Sequence, residues 1–139
     1  MKGRYIGDNI RRIYDLLQYT ESENIPGLLL SIDNEKAFDS VSWSFLHKTL
    51  IFFNFGPDLL QWIGTLYNGI ASCVSVNCQY SNWFDLRRGL RQGDSCSAYL
   101  YLLCAEIMAI LTRQNAKFKG ITVNAHEVLL SQFADDTTV

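Results

Sequence analysis

Three carboxylates stand where two apolar segments of the chain end, and their positions are suited to chemistry. Asp33 closes the apolar run Leu28–Ile32, and Asp135 and Asp136 follow a second apolar segment. Asp33 and Asp135 are 102 residues apart, so they share a site only if their strands are neighbours in one sheet. Carboxylates brought that close repel one another unless a cation compensates their charge. Without His or Cys beside them, these oxygen ligands favour Mg²⁺ or Mn²⁺ and indicate phosphoryl or nucleotidyl transfer.

A simpler interpretation exists for each carboxylate taken alone. Asp is common in solvated β-turns because its side chain hydrogen-bonds to nearby backbone, so an isolated Asp135-Asp136 pair also fits an ordinary turn. The choice between a turn and a metal site therefore depends on the rest of the chain.

Apolar periodicity and turn residues predict the elements that position these carboxylates. In chain order they are a helix over 9–20, a strand over 28–33, and helices opening after Ser42 and at Pro57. A hairpin of 71–77 with 83–86 follows, with its turn over 79–82, and then a helix from Ser95 or Ser97 to about Asn115 and strands over 121–123 and 128–134. The unbroken apolar run before Asp33 predicts a strand that is buried on both faces and central in its sheet. Antiparallel strands with helices packed on one face predict an α+β fold.

The composition indicates one folded domain without a structural metal or a membrane anchor. The 139 residues are 48% hydrophobic and 19% charged, which excludes a disordered tail. The four cysteines and two histidines form no zinc pattern, so free thiols in a reducing compartment are expected. No apolar stretch is long enough to span a bilayer. The larger aromatic residues are predicted to pack between elements, not to stack on bases; they are Trp43, Trp62, Tyr67 and Trp83.

Charge is segregated along the chain. Residues 20–60 carry six acidic and two basic side chains, a net charge of −4, whereas residues 87–119 carry six basic and two acidic ones, a net charge of +4. A solvated charged face is the simplest interpretation of such a run. The cluster Arg87-Arg88-Gly89-Leu90-Arg91 is also suited to binding phosphates.

Three segments read SIDNEKAFD over 31–39, GLRQGD over 89–94 and FADD over 133–136. They resemble motifs A, B and C of the reverse transcriptases of non-long-terminal-repeat retrotransposons, the long interspersed elements, and they occur in that family's order. Gly3-Arg4 followed by Asp8-Asn9-Ile10 is similar to the stretch that precedes motif A. The resemblance therefore covers essentially the whole chain.

The resemblance implies that Asp33, Asp135 and Asp136 are the catalytic carboxylates and the ligands of Mg²⁺ or Mn²⁺. The implied activity is RNA-directed DNA polymerisation by two-metal nucleotidyl transfer, in which the primer 3′-hydroxyl attacks the α-phosphate of a dNTP. The implied partners are an RNA template, a DNA primer or target, and the dNTP.

The resemblance also implies four residues that bind substrate. Phe38 corresponds to the steric gate that excludes a ribose 2′-hydroxyl, although a lone Phe after a strand more often packs in the core. Gln92 and Gly93 correspond to residues beside the nascent base pair, where a small residue lets backbone and template approach closely. Arg91 is expected either to contact a backbone phosphate or to pair with Asp94.

The architecture implied by the resemblance is a reverse transcriptase palm with part of the fingers, forming a single partial domain over 1–139. Residues 1–26 precede motif A, and residues 27–139 carry motifs A, B and C. The upstream fingers and the thumb of the full-length polyprotein are expected to be absent, so little or no polymerase activity is expected of the isolated chain. The implied location is intracellular, both nuclear and cytoplasmic, and no targeting signal is visible.

Motif B departs from the family pattern. Relatives continue it as QGDPLSP, whereas this chain has QGDSCSA over 92–98, so both prolines are missing. Because proline fixes φ in the first turn of a helix, the loss predicts a looser loop before the following helix. The alternative function is therefore a non-catalytic nucleic-acid-binding or scaffold remnant of a retroelement.

Overall fold

The structure of the protein is a computed structural model that describes residues 6–123, 125–133 and 136–139, without the side chains of residues 6, 133 and 136. The chain divides into two compact units, Met1–Asn34 with Met108–Val139 (unit 1) and Glu35–Ile107 (unit 2). The described residues form helices and small antiparallel sheets, which confirms the predicted α+β class.

The described helices and strands follow the predicted order, with more and shorter strands. The helices are α1 (Ile6–Ser22), α2 (Ala37–Ser40), α3 (Trp43–Phe52), α4 (Pro57–Tyr67) and α5 (Ser97–Gln114). The strands are β1 (Ser31–Ile32), β2 (Ala71–Ser72), β3 (Ser75–Val76), β4 (Gln79–Tyr80), β5 (Phe84–Asp85), β6 (Ile121–Val123), β7 (His126–Val128), β8 (Ser131–Phe133) and β9 (Asp136–Thr138). Helix α2 was not predicted.

Unit 1 contains α1, a three-stranded antiparallel sheet in the order β1-β9-β8, and the β6-β7 hairpin. The prediction that the strand before Asp33 is central and buried is wrong for the described residues. Among the described residues, strand β1 pairs only with β9 and therefore lies at an edge of the sheet. It covers only two residues, so Leu28–Leu30 precede it, and Leu28 is 87% exposed. The leucines line an open apolar groove of about 380 Å³ beside one face of α1. The strand predicted over 128–134 is divided between β7 and β8.

Unit 2 has a continuous apolar core. Pro57 follows Gly56 in the first turn of α4, where its missing N–H costs nothing, and α3 and α4 pack against each other. The buried residues come from α2 and the residue after it, from α3 and α4, from the segment before α5, and from α5 itself; they are Ala37, Val41, Leu46, Leu50, Ile63, Tyr67, Leu90, Leu100, Tyr101 and Cys104. This core therefore joins the helices α2, α3 and α4 to the segment around Leu90 and to the first half of α5.

The hairpin between α4 and α5 differs from its prediction. Strands β2 and β5 pair at its base, and β3 and β4 pair at its tip around Asn77 and Cys78. Both turn residues have positive φ, at 48° and 63°, as in the two-residue turns that match strand twist. The turn predicted over 79–82 is wrong because the short Asn side chain tolerates the left-handed region and closes the hairpin earlier.

The aromatic residues divide into two pairs. Trp43 and Tyr67 pack with ring centroids 5.7 Å apart, as predicted. Trp62 and Trp83 are 70% and 73% exposed, so the prediction that they pack between elements is wrong for these two. All four cysteines are free thiols, as expected. Among the described residues, no helix has the length and apolar character needed to cross a membrane.

Candidate active site

In unit 1, two of the predicted catalytic aspartates belong to one end of the three-stranded sheet. Ser31 pairs with Thr138 and Ile32 with Thr137, and Leu30 and Val139 exchange two backbone hydrogen bonds of 2.8 and 2.9 Å. Asp33 follows Ile32, and Asp136 precedes Thr137. In an antiparallel pair with this register, both aspartates lie one position beyond the same residue pair, at the same end of the sheet.

Motif C includes residues of two short paired strands, β8 and β9. Strands β8 and β9 pair antiparallel from Ser131 with Thr138 to Phe133 with Asp136. Thr137 is fully buried, and its hydroxyl accepts a hydrogen bond from the Gln132 side-chain amide at 3.3 Å. The predicted site residue Asp135 lies outside the described residues, as does the side chain of Asp136.

The carboxylates of this sheet end suit a hard cation by the chemistry of their donors. Asp33 is exposed and therefore accessible to a ligand. Oxygen donors alone favour Mg²⁺ or Mn²⁺ over the softer metals that need His or Cys. The part of the chain that the structure describes contains no group of three His, Cys, Asp or Glu that could hold a metal, but that part lacks the side chains of Asp135 and Asp136.

In unit 2, the first of the predicted substrate-binding residues is Phe38. Lys36 adopts the left-handed conformation, with φ 50° and ψ 49°, and turns the chain into α2. The Phe38 ring is partly buried and stacks on Tyr101 of α5, with ring centroids 4.8 Å apart and planes at 19°. The Phe38 ring therefore does pack against the core, and its role as a steric gate stays a prediction.

Three hydrogen bonds attach motif B to the end of motif A and to the residues just after it. The Leu90 N–H donates to the Phe38 carbonyl at 2.8 Å, and the Gly89 N–H donates to the Val41 carbonyl at 2.8 Å. The Trp43 indole N–H donates to the Gly89 carbonyl at 2.9 Å. Leu90 is buried in the core of unit 2, so the start of motif B is fixed by both polar and apolar contacts.

Gly89 makes this attachment possible. Its φ of 96° lies where side chains are rarely tolerated, and a Cβ at this position would lie 3.1 Å from the Asp39 carbonyl oxygen and 3.2 Å from the Asp39 Cα. The close approach of two backbones therefore requires glycine at 89. Around Gly93, the glycine singled out from the sequence, a Cβ would meet no described atom within 4 Å, although its φ of 88° also favours glycine.

The predicted substrate residues beyond Leu90 are accessible. Arg91, Gln92 and Gly93 are exposed, and Arg91 and Gln92 border a shallow concavity of about 620 Å³ that also includes Asp39 and Asp85. The part of motif B after the buried Leu90 is therefore exposed to solvent.

Asp94 compensates for the missing prolines of motif B. Its carboxylate accepts a hydrogen bond from the Cys96 N–H at 3.2 Å, and its carbonyl accepts one from the Ser97 N–H at 3.2 Å. Helix α5 then begins at Ser97, one of the two predicted starts. The carboxylate of Asp94 satisfies a backbone donor here and helps to order the turn before the helix.

Three residues of this arrangement were not predicted to have a role in it. Gly89 was noted only as part of a basic cluster and of motif B, Trp43 only as a packing residue, and Tyr101 not at all. Their roles depend on contacts between residues tens of positions apart, for which the chain carries no local signal. A glycine directly before the buried Leu90 was the one available indication of a close backbone approach.

Comparison with known proteins agrees with the fold and the motifs. The family model described as reverse transcriptase (RNA-dependent DNA polymerase) matches residues 5–139. Over 136 residues the chain is 35% identical to the Transposon TX1 uncharacterized 149 kDa protein of Xenopus laevis, covering 96% of this chain and 10% of that protein. Over 56 residues it is 41% identical to the Uncharacterized mitochondrial protein AtMg01250 of Arabidopsis thaliana, covering 37% of this chain and 46% of that protein.

The chain belongs to the reverse transcriptase family. The resemblance to a retrotransposon reverse transcriptase, first drawn from motifs A, B and C, is confirmed. The chain spans a tenth of the transposon protein and less than half of the mitochondrial one.

Proposed function

We propose that this chain carries the palm of an RNA-directed DNA polymerase and contributes the residues for nucleotidyl transfer from a dNTP to a primer 3′-hydroxyl. The observation that supports the proposal best is the register of β1 with β9, since Asp33 and Asp136 are one position beyond the same pair although 103 residues separate them. A polymerase active site needs such a carboxylate cluster, whereas a solvated turn does not.

The proposed metal ligands are Asp33, Asp135 and Asp136. A divalent cation held there would supply Lewis-acid activation of the primer hydroxyl and charge neutralisation at the departing pyrophosphate. The three carboxylates would bind Mg²⁺ or Mn²⁺ through oxygen alone and orient the phosphates. Exposure of Asp33 leaves room for such a ligand.

The proposed nucleotide and template residues are Phe38, Arg91, Gln92 and Gly93. A Phe ring at position 38 would exclude a ribose 2′-hydroxyl by contact and so favour dNTPs. Gln92 and Gly93 would lie along the nascent base pair, and the exposed Arg91 would contact a backbone phosphate. The carbonyl of Phe38 is hydrogen-bonded to Leu90, which keeps the gate and the start of motif B together.

A Mn²⁺ titration tests the carboxylate site directly. The parent chain is compared with an Asp33→Asn, Asp135→Asn double variant and with Glu23→Gln, which removes an exposed carboxylate beyond α1. Binding is followed by loss of the free Mn²⁺ paramagnetic resonance signal and by thermal unfolding. At a metal concentration 100 times Kd, the parent should gain about 2.7 kcal/mol of stability.

The expected result is metal-dependent stabilisation of the parent and of Glu23→Gln that the double variant lacks. Equal behaviour of all three proteins would refute a shared site at Asp33 and Asp135. Metal binding without any binding of a dNTP would instead favour the non-catalytic nucleic-acid-binding or scaffold remnant.

Nucleic-acid binding by the arginine cluster is tested by salt dependence. Arg87, Arg88 and Arg91 are exposed, and three phosphate contacts to a single strand would give a slope of about −2 for log K against log salt. Replacing all three by Gln should weaken binding of an RNA oligonucleotide and flatten the slope. Arg11→Gln, at an exposed position of α1, is the matched control, and an unchanged slope in the triple variant would exclude this cluster as the contact.

A further inference from the structure

The aromatic stack between Phe38 and Tyr101 limits how the Phe38 ring can move. The ring centroids are 4.8 Å apart and the planes are inclined by 19°, so Tyr101 covers a face of the Phe38 ring. Tyr101 is only 7% exposed and belongs to the core of unit 2. Because protein cores are close-packed, Phe38 cannot be displaced toward Tyr101 without disturbing α5.

The backbone of Phe38 is held as firmly as its ring. Its carbonyl accepts the Leu90 N–H, and the adjoining Gly89 is fixed by Val41 and by the Trp43 indole. Displacement of the ring by rotation or by a shift of α2 would therefore have to break the stack or these hydrogen bonds.

We propose that Tyr101 is a positioning residue for sugar discrimination: it supports the Phe38 ring so that the ring resists a ribose 2′-hydroxyl. This inference rests on the proposed function, in which Phe38 contacts the sugar of the incoming nucleotide. An aromatic ring excludes the 2′-hydroxyl only if the ring cannot move away from the sugar, because a small displacement would make room for that one additional oxygen. Without a ring at position 101, the Phe38 side chain gains space and the selectivity for deoxynucleotides falls.

Nucleotide selectivity is the readout that separates this role from simple core packing. The 139-residue chain is titrated with dATP and with ATP in the presence of Mn²⁺ by calorimetry, because these ligands differ only at the 2′ position. The proteins compared are the parent, Phe38→Ala, Tyr101→Leu, Tyr101→Phe and Ile63→Val. Ile63 is a buried core residue of α4, so its variant reports mild loosening of the same core.

Support requires that the parent prefers dATP and that Tyr101→Leu and Phe38→Ala both lose preference, while Tyr101→Phe and Ile63→Val keep it. We expect Tyr101→Leu to reduce the ratio of ATP to dATP dissociation constants about fivefold to tenfold, equivalent to about 1–1.4 kcal/mol. Circular dichroism establishes that each variant is folded before the comparison.

The other outcomes overturn the inference in distinguishable ways. If Tyr101→Leu keeps the full preference for dATP while Phe38→Ala loses it, Phe38 selects the sugar without support from Tyr101, and the inference is rejected. If Ile63→Val loses as much preference for dATP as Tyr101→Leu, the loss comes from general loosening of the core and not from the contact between Tyr101 and Phe38. A parent that binds neither nucleotide, or a selective Phe38→Ala, would refute the proposed nucleotide site and the inference with it.

Discussion

Replacement of Gly89 by Ala tests whether motif B is attached to α2 by a close backbone approach. Gly89 has a φ of 96°, and an added Cβ would lie 3.1 Å from the carbonyl oxygen of Asp39. The neighbouring atoms belong to the backbone of Asp39 in α2, whose flanking residues Phe38 and Ser40 are hydrogen-bonded through their own backbones, so these atoms cannot move aside as freely as a flexible side chain would. The substitution therefore carries both a conformational cost and a steric cost.

The two costs can be estimated separately. A non-glycine residue forced to positive φ costs about 1–2 kcal/mol. Overpacking against atoms that cannot relax adds about 1–3 kcal/mol. Gly89→Ala should therefore destabilise the protein by about 3 kcal/mol, which for a chain of this size lowers Tm by about 10 °C. The free energy of unfolding of a natural domain is only about 5–15 kcal/mol, so this loss is large.

Two other glycines of unit 2 provide the controls for this prediction. Gly93 has a φ of 88° but open space around its Cβ position, so Gly93→Ala should cost only the conformational part, about 1–2 kcal/mol. Gly64 is exposed within α4 and has no atom near its Cβ position, so Gly64→Ala should stabilise by about 0.5–1 kcal/mol. Thermal unfolding by circular dichroism measures all three. Equal costs for Gly89→Ala and Gly93→Ala would show that the close approach to Asp39 is absent.

Three further predictions concern single contacts. Trp43→Phe removes the indole donor from the Gly89 carbonyl and should cost about 1–2 kcal/mol in chemical denaturation; no loss would mean that this bond adds nothing. Cys78→Gly relieves a φ of 63° in the hairpin turn beside Asn77 and should stabilise by about 0.5–1 kcal/mol in the same assay, whereas destabilisation would reject the turn geometry. Burial raises the pKa of the Cys104 thiol above its ordinary value of 9.0, with a smaller opposing effect of the Thr49 hydroxyl, so the folded state holds this proton more tightly. Its contribution to stability is complete below about pH 9 and is lost as pH rises further, and Cys104 should resist alkylation at pH 8 while the exposed thiols react; equal rates would contradict its burial.

Four of the described helices, α1, α3, α4 and α5, were predictable because each carries its own local signals, whereas the short helix α2 was not predicted. The period of apolar residues predicts α1, and Gly56-Pro57 marks the start of α4, so both agree with the structure. The start of α5 at Ser97 was one of two predicted positions. In each case the information lies within a few residues of the element, and tertiary contacts do not override it.

The strands were less predictable because their lengths and partners depend on distant residues. The apolar run 28–33 predicts a long buried strand, but a ladder with β9 forms only where that partner is in register. Leu28 is consequently exposed, although its sequence context is that of a core strand. Periodicity indicates the faces of a strand and cannot show how many neighbours it has.

The candidate site shows the same division between local motifs and distant support. Motifs identify Asp33, Phe38 and Gln92 by type and order, but they do not indicate what holds these residues in place. The attachment of Gly89 and Leu90 to motif A comes from hydrogen bonds that cross about fifty positions of sequence. Because this anchor precedes Gln92, and Asp94 orders the turn that follows, the loss of the motif B prolines affects a segment that is fixed at both ends. Helix α5 therefore has an ordered start although motif B lacks both prolines, whose loss predicts a looser loop.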